Sequence, residues 1–229
     1  YADMTCFSFH PVKGIAAGEG GMITTNDFDI YRKLTLLRSH GITKGNFEFP
    51  GVSRPDNSLV NKDAALEAGE LKRWYYEMQS LGFNYRITDI QSALAISQMG
   101  KIDLFLDARR SMVKVYDKAF KDIPNITPLQ AHGRDNSSHH IYVVSIDFDK
   151  IGMTRHQFME KLAEQGVGSQ VHYIPVVSQP YYQELGYKIQ QYSITDTYYQ
   201  STLSIPLYYG LSDVDQRLVT SSIRKLLGK

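Results

Sequence analysis

Cysteine is nearly absent from this sequence. Cys6 is the only one in 229 residues; a single thiol forms neither an internal disulfide nor a cysteine-rich zinc cluster, which fits a reducing compartment. Long apolar runs are missing too. None approaches the ~18 residues of a membrane-spanning helix, and the start has no basic stretch followed by an apolar one, so neither an anchor nor a secretory signal is expected. A cytoplasmic protein is the expectation, and the sequons Asn125-Ile126-Thr127 and Asn136-Ser137-Ser138 are read as coincidental. An excess of charge is also lacking. Lys and Arg total 25 against 24 Asp and Glu, so no long-range field gathers nucleic acid or anionic lipid, and any bound anion must be held by local contacts. The seven histidines are scattered, without an HExxH or CxxC pattern. No metal site is expected.

What is present describes an ordered globular protein. Apolar residues make up 42% and aromatic residues 12%, with sixteen tyrosines and ten phenylalanines, a composition far from that of a disordered tail. At roughly 100 to 200 residues per domain, the length permits one large domain or two smaller ones. The chain opens on Tyr1, without Met, and residues 1–9 read as the middle of a strand sequence with no capping or turn chemistry ahead of it. Sequence upstream of Tyr1 is therefore expected.

Residues 5–9 are apolar and β-prone and run into His10-Pro11, where proline ends regular pairing. After the Gly18-Glu19-Gly20-Gly21 turn, residues 22–25 resume as a short strand. Asn26 and Asp27 are cap candidates for a helix carrying Phe28, Tyr31, Leu34 and Leu37 at helical spacing. Residues 43–73 are polar, contain two prolines and have no sustained apolar face, so a long surface loop or lid is expected, with a helical turn possible over 64–72. Helical pattern returns at Thr88, breaks at Gly100 and continues to Phe120. Pro124 and Pro128 frame a connection to an alternating strand over 140–148. Thr154 and Gln157 form a capping-box signature for a helix over 155–164, residues 169–173 read as a strand, and a tyrosine-rich helix over 194–201 precedes a strand over 203–208. A last helix opens at the Ser212/Asp215 box. This alternation predicts a small α/β domain whose sheet is covered on one side.

The densest chemistry lies near the start, in Ser8-Phe9-His10-Pro11-Val12-Lys13 and the glycines that follow. A lysine that condenses with an aldehyde must be neutral, whereas a free lysine titrates near ~10.4. Placement at the mouth of a buried strand would lower that value, and Lys13 follows such a strand. Ser8, five residues upstream, has a hydroxyl suited to a phosphate oxygen. From residue types alone, a solvated lysine after a proline kink accounts for Lys13 as well or better. Other residues stay similarly open. His10 is a ring-stacking group or part of a His-Pro turn; Arg86 is a carboxylate clamp or a partner of Asp89; Tyr181, Tyr182, Tyr198 and Tyr199 are a recognition surface or a packing layer. His139 and His140 adjoin a strand and point to opposite faces, which makes a poor metal pair.

The string SFHPVKGIAAGEGGMITTND resembles the cofactor-lysine segment of the DegT family of fold type I pyridoxal-phosphate enzymes, whose pattern is SFHxxKxxxxGEGGxxxT. LRSHGI, GFNYRITDIQSAL, SQVHYIPV and SIPLYYGLSDVDQ resemble later family landmarks in the family's order, so the likeness covers nearly the whole chain. It implies an α/β fold, the C-terminal portion of a fold type I transferase. Residues 1–88 would be the end of the large cofactor domain with a long loop at 43–73, residues 89–122 connecting helices, and residues 123–229 the small C-terminal domain. The resemblance further implies pyridoxal 5'-phosphate as cofactor, Lys13 as Schiff-base lysine and proton shuttle, Ser8 as a phosphate contact, and Asn84 as a contact to the phosphate in a neighbouring subunit, hence a homodimer with shared active sites. Gln170, Val171, His172, Tyr173 and Tyr182 fall where relatives contact the nucleotide sugar. Within the family the likeness is strongest to the branch serving pseudaminic acid biosynthesis, which transfers an amino group from glutamate to the C4 keto carbon of a UDP-linked 2-acetamido-2,6-dideoxy-4-ketohexose. Three alternatives remain: a perosamine-type or 3-amino-sugar aminotransferase, a dehydratase relative, disfavoured because those carry histidine at the Lys13 position, and a non-catalytic module of the same fold. The family's pyridine-nitrogen aspartate and ring-stacking aromatic are expected upstream of Tyr1.

Overall fold

The structure is a computed structural model that describes residues 2–43, 66–68, 70–129 and 136–229. They form two compact units, Tyr1–Met99 and Gly100–Lys229.

The first unit opens with an antiparallel hairpin, β1 (Thr5–Ser8) and β2 (Gly21–Thr24), in which Thr5 faces Thr24 and Ser8 faces Gly21. Helix α1 (Phe28–Arg38) begins where Asp27 Oδ1 accepts the Ile30 N–H at 2.9 Å, satisfying one of the donors that a helix start leaves free. Short strands β3 (Ile42–Thr43) and β6 (Glu77–Met78) pair antiparallel, as do β4 (Leu66–Glu67) and β5 (Glu70–Leu71). The last pair corrects the helical turn expected over 64–72 for its described residues, because Ala68 at φ 51° leaves the right-handed helical region. Most of the 43–73 loop lies outside the described residues. Helix α2 (Asp89–Met99) starts at Thr88, whose Oγ1 accepts the Gln91 N–H at 3.3 Å while Gln91 Oε1 accepts the Thr88 N–H at 3.2 Å. That is a capping box in which two orphan donors are satisfied reciprocally.

Burial in this unit differs from expectation. Every residue of β1 and β2 is exposed, and α1 and α2 have no buried residue. Phe7 and Cys6 point to opposite faces of β1 by the strand's two-residue period, and both are exposed. The buried strand inferred to precede Lys13 is thus apolar in composition but not covered by the described residues of this chain.

The second unit has a conventional core. Helix α3 (Ile102–Phe120) buries Met112, Val113, Tyr116 and Phe120, an i, i+1, i+4, i+8 stripe. An antiparallel sheet runs β7 (Ile126–Pro128), β8 (Tyr142–Ile146), β9 (Thr202–Ile205), with β8 in the centre. Pro128 ends edge strand β7, where its missing N–H costs no ladder bond; the segment read as a plain connection contains a strand. Strand β8 starts two residues later than the sequence suggests, since the His139 and His140 carbonyls accept from Arg109 Nη1 at 3.1 and 3.0 Å instead of a neighbouring strand. Helix α4 (Arg155–Glu164) carries the expected capping box of Thr154 and Gln157 and buries Phe158 and Leu162. Helices α5 (Pro180–Glu184) and α6 (Ser193–Ser201) follow, and α7 (Asp213–Leu226), capped by Ser212, packs Val219 and Ile223 into the same core as Tyr116, Val144, Leu162 and Leu203. Tyr116 donates its phenol proton to the Pro206 carbonyl at 2.8 Å, and burial raises its pKa. Replacing Thr154 by Ala is expected to destabilise the protein by about 1 kcal/mol, read as a lower urea midpoint at an unchanged denaturant slope. An unchanged midpoint would show that the cap contributes nothing.

Candidate active site

The loop between β1 and β2 is pinned by its own backbone. The Phe9 N–H donates to Gly20 O and the Ala17 N–H to Phe9 O, both at 2.9 Å, so the segment leaves β1 and returns to it under constraint. Within it, the Lys13 N–H donates to His10 O at 2.9 Å, closing a turn that fixes the Lys13 backbone; the residue is half-buried. Ser8 ends β1, exposed, and its Oγ accepts the His10 N–H at 3.4 Å. Imidazole Nδ1 of His10 accepts the Val12 N–H at 3.4 Å, and Nε2 lies 3.9 Å from Glu19. Those contacts give His10 a place in the turn. A Cβ on Gly21 would stand 2.7 Å from Phe7 O, so only glycine lets the returning strand pass this close.

Gln91 is a support that residue-type reasoning passed over. Its Nε2 donates to Glu19 O at 3.0 Å, fastening the start of α2 to the loop that carries Lys13. The capping-box spacing from Thr88 was its visible signal, though it points to a helix start and not to a loop contact.

Asn84 sits on a segment laid along the end of α1. The Phe83 N–H donates to Leu37 O at 2.7 Å, the Tyr85 N–H to Arg38 O at 2.9 Å, and Ser39 and Asn84 form an antiparallel bridge. Its side chain is exposed. The approach is very close: a Cβ on Gly82 would lie 2.2 Å from Gly41 N. Arg86 is exposed, and no ion pair joins it to Asp89 among the described residues.

In the second unit, residues 169–173 are not a strand. Gln170 exchanges two backbone hydrogen bonds with Ser204, at 3.0 and 2.8 Å, and the pairing stops there. Two side chains account for this, one bonding within the segment and one across the fold. Gln170 Oε1 takes the Val171 N–H at 2.9 Å, and the His172 ring turns onto Ser204 Oγ, 2.7 Å from its Nδ1. Val171 packs against the core. Tyr173, 70% exposed, meets the His172 ring edge-on with centroids 4.6 Å apart. A pocket here is lined by Ile141, Gly168, Gln170, His172, Ser204 and Pro206 among others. Tyr182 is exposed and lies edge-to-face with Tyr181 at 5.4 Å and Tyr187 at 6.0 Å. Tyr199 has a packing role, since Arg155 lies 4.7 Å from its ring centroid and also donates to its carbonyl.

The family model of the DegT/DnrJ/EryC1/StrS aminotransferases matches residues 1–224. The chain belongs to that family. Relatives include the spore coat polysaccharide biosynthesis protein SpsC of Bacillus subtilis, 33% identical over 227 residues, which are 98% of this chain and 54% of SpsC. The UDP-4-amino-4,6-dideoxy-N-acetyl-beta-L-altrosamine transaminase of Campylobacter jejuni is 31% identical over 228 residues, covering 100% of this chain and 53% of that protein. Among solved structures, Helicobacter pylori PseC, an aminotransferase of pseudoaminic acid biosynthesis, superposes with a TM-score of 0.82 at 30% identity, over 100% of this chain and 54% of that one. The chain thus spans about half the length of the relatives it matches. The fold is that of a DegT-family, fold type I aminotransferase, as the lysine motif and its later landmarks implied. No helix among the described residues is long and apolar enough to cross a membrane.

Proposed function

We propose that this chain supplies the cofactor lysine and the nucleotide-sugar contacts of a pyridoxal 5'-phosphate-dependent aminotransferase. The reaction moves an amino group from glutamate to the C4 keto carbon of a UDP-linked 2-acetamido-2,6-dideoxy-4-ketohexose. The observation that carries the reading is Lys13 on a backbone-pinned loop directly after β1, in a chain matched by the family model from residue 1 to residue 224. The substrate is drawn from the Campylobacter jejuni transaminase and from PseC, at 31% and 30% identity.

The residues present suit the cofactor. Lys13, a half-buried residue, follows a strand end bearing the Ser8 hydroxyl, and the loop that joins them is held by the Phe9–Gly20 and Ala17–Phe9 backbone bonds. Pyridoxal phosphate, when bound, supplies a ring that withdraws electrons from the donor's Cα. Lys13 Nζ is the amine that would hold the cofactor aldehyde. With the donor in place, the same nitrogen would act as the base that takes the proton from the donor Cα in the first half and as the acid that delivers a proton to the sugar carbon in the second. Ser8 Oγ would donate a hydrogen bond to the phosphate, and the backbone bonds of the loop hold the segment that carries both hydroxyl and amine. Asn84 would reach the phosphate of a neighbouring subunit's cofactor, and the working unit would then be a homodimer. In the second unit, His172 and Tyr173 offer polar and aromatic surface to the nucleotide sugar, with Gln170, Val171 and Tyr182 around them.

A panel of nucleotide ketosugars tests the substrate. With glutamate as donor, the full-length protein is expected to favour the UDP-linked 4-ketohexose over GDP-linked and dTDP-linked ketosugars by about tenfold or more in kcat/KM. A preference for a GDP-linked 4-keto sugar would move the reading to the perosamine type, and one for a 3-keto sugar to the 3-amino-sugar type.

A further inference from the structure

Gln91 uses both ends of its carboxamide. Its Oε1 accepts the Thr88 N–H at 3.2 Å and the Thr88 hydroxyl at 2.9 Å, while its Nε2 donates to Glu19 O at 3.0 Å. A backbone N–H only donates and a backbone carbonyl only accepts, so these two main-chain partners fix which end of the amide is oxygen. The Thr88 hydroxyl also accepts the Gln91 N–H at 3.3 Å. The capping box thus holds the carboxamide by itself, and little rotamer freedom remains to be lost in reaching Glu19.

The bond to Glu19 enters the segment that carries Lys13. Residues 9–20 leave and rejoin the hairpin at a neck made by Phe9, whose N–H donates to Gly20 O and whose carbonyl accepts the Ala17 N–H. Glu19 O and Gly20 O are consecutive carbonyls with different anchors, the first on α2 and the second on the residue after β1. Ile87, just before Thr88, meets the same turn, since a Cβ on Gly20 would stand 3.1 Å from Ile87 Cδ1. Among the described residues, the Gln91 bond is the only hydrogen bond that reaches residues 9–20 from outside the hairpin. The Lys13 N–H is bound to His10 O inside the loop, so the lysine moves with it.

We infer that Gln91 is a positioning residue for Lys13: Oε1 closes the start of α2, and Nε2 of the same carboxamide holds the loop that presents the lysine amine. This rests on the proposal above that Lys13 holds the cofactor. The spacing from Thr88 to Gln91 announces a helix cap, whereas Glu19 lies 72 positions away in the chain. Proton transfer depends steeply on placement, and an error of about 1 Å can cost about a hundredfold in rate. A loop that loses this outer anchor but keeps its neck is expected to lose less, about tenfold.

Two variants of the full-length holoenzyme separate the tether from the cap. Gln91→Glu keeps an oxygen for the Thr88 N–H, as in an ordinary capping box, but has no donor for Glu19 O. Gln91→Met loses both bonds and adds no charge. Both are expected to raise amide hydrogen exchange at Phe9 and Ala17 about fivefold and to lower kcat about tenfold, with KM for the nucleotide sugar unchanged. The urea midpoint should fall in Gln91→Met only. Unchanged exchange and kcat in Gln91→Glu would overturn the positioning role and leave Gln91 as a cap. Faster exchange in Gln91→Glu but not in Gln91→Met would also overturn it, because the added carboxylate would then be the cause. Failure of the underlying reading has its own signature: no borohydride-reducible cofactor adduct on Lys13 in the unmodified protein, with exchange still faster in both variants. That result would overturn the role towards the cofactor while showing that the tether exists.

Discussion

Full-length protein carrying Lys13→Ala is expected to lose transamination turnover by about a thousandfold or more. The size follows from how many tasks one nitrogen performs. On the proposed reading its amine would hold the cofactor aldehyde, its departure would admit the donor, and as a free base it would move a proton in each half of the reaction. Removal leaves the loop itself in place, since the backbone bonds from Phe9, Lys13 and Ala17 do not involve the lysine side chain. The Ser8 hydroxyl, the proposed phosphate contact, remains as well, so weak binding of pyridoxal phosphate should survive. Steady-state assay with glutamate and the UDP-ketosugar, beside equilibrium dialysis of the cofactor, separates these effects. Turnover within about tenfold of the unmodified protein would remove Lys13 from the mechanism.

Gly41→Ala is expected to destabilise the protein by about 3 kcal/mol or more, and to disturb the Asn84 segment with it. Two penalties combine at this position. The backbone has φ 68°, where a side chain is strained, and the added Cβ would stand 1.8 Å from the Ser80 carbonyl oxygen. Overpacking alone costs about 1–3 kcal/mol when neighbours can yield, and the strained conformation adds about 1 kcal/mol. Here the obstructing atom is backbone and cannot rotate away. Gly41 also donates its N–H to Leu36 O at 2.9 Å and accepts from Gln79 N at 2.7 Å, so its shift would loosen the end of α1 and the β3–β6 pair together. Gly152 supplies the control: φ is 65° and a Cβ there meets nothing within 4 Å. Gly152→Ala should therefore show the strain alone, about 1 kcal/mol. Urea unfolding of both variants gives the difference; equal losses would contradict the clash.

Local chemistry made much of this architecture legible. Asp27, Thr154 and Ser212 each cap the helix that their spacing announces, because a cap is decided by a side chain and a backbone N–H three residues away. Gly100 separates α2 from α3 as expected. The misreadings share a different cause. Residues 169–173 have the composition of a strand, but the side chains of Gln170 and His172 take partners that end the ladder after one residue, and such partners are set by tertiary structure. Strand β7 was hidden by Pro128, which is tolerated because β7 lies at an edge that sequence does not reveal. Burial of β1 was inferred from its apolar residues, whereas their exposure here depends on what lies against them. Lys13 is the clearest case: its residue type and neighbours leave a solvated lysine open, and its proposed role comes only from the longer motif pattern; the family match over residues 1–224 gives the family and not the role.

Borohydride reduction of the full-length protein with pyridoxal phosphate, followed by peptide mass mapping, tests the central claim most directly. The account predicts that the visible absorbance band is lost and that the peptide containing Lys13 gains the mass of the reduced cofactor. A reduced adduct on another lysine, or none at all, would contradict it.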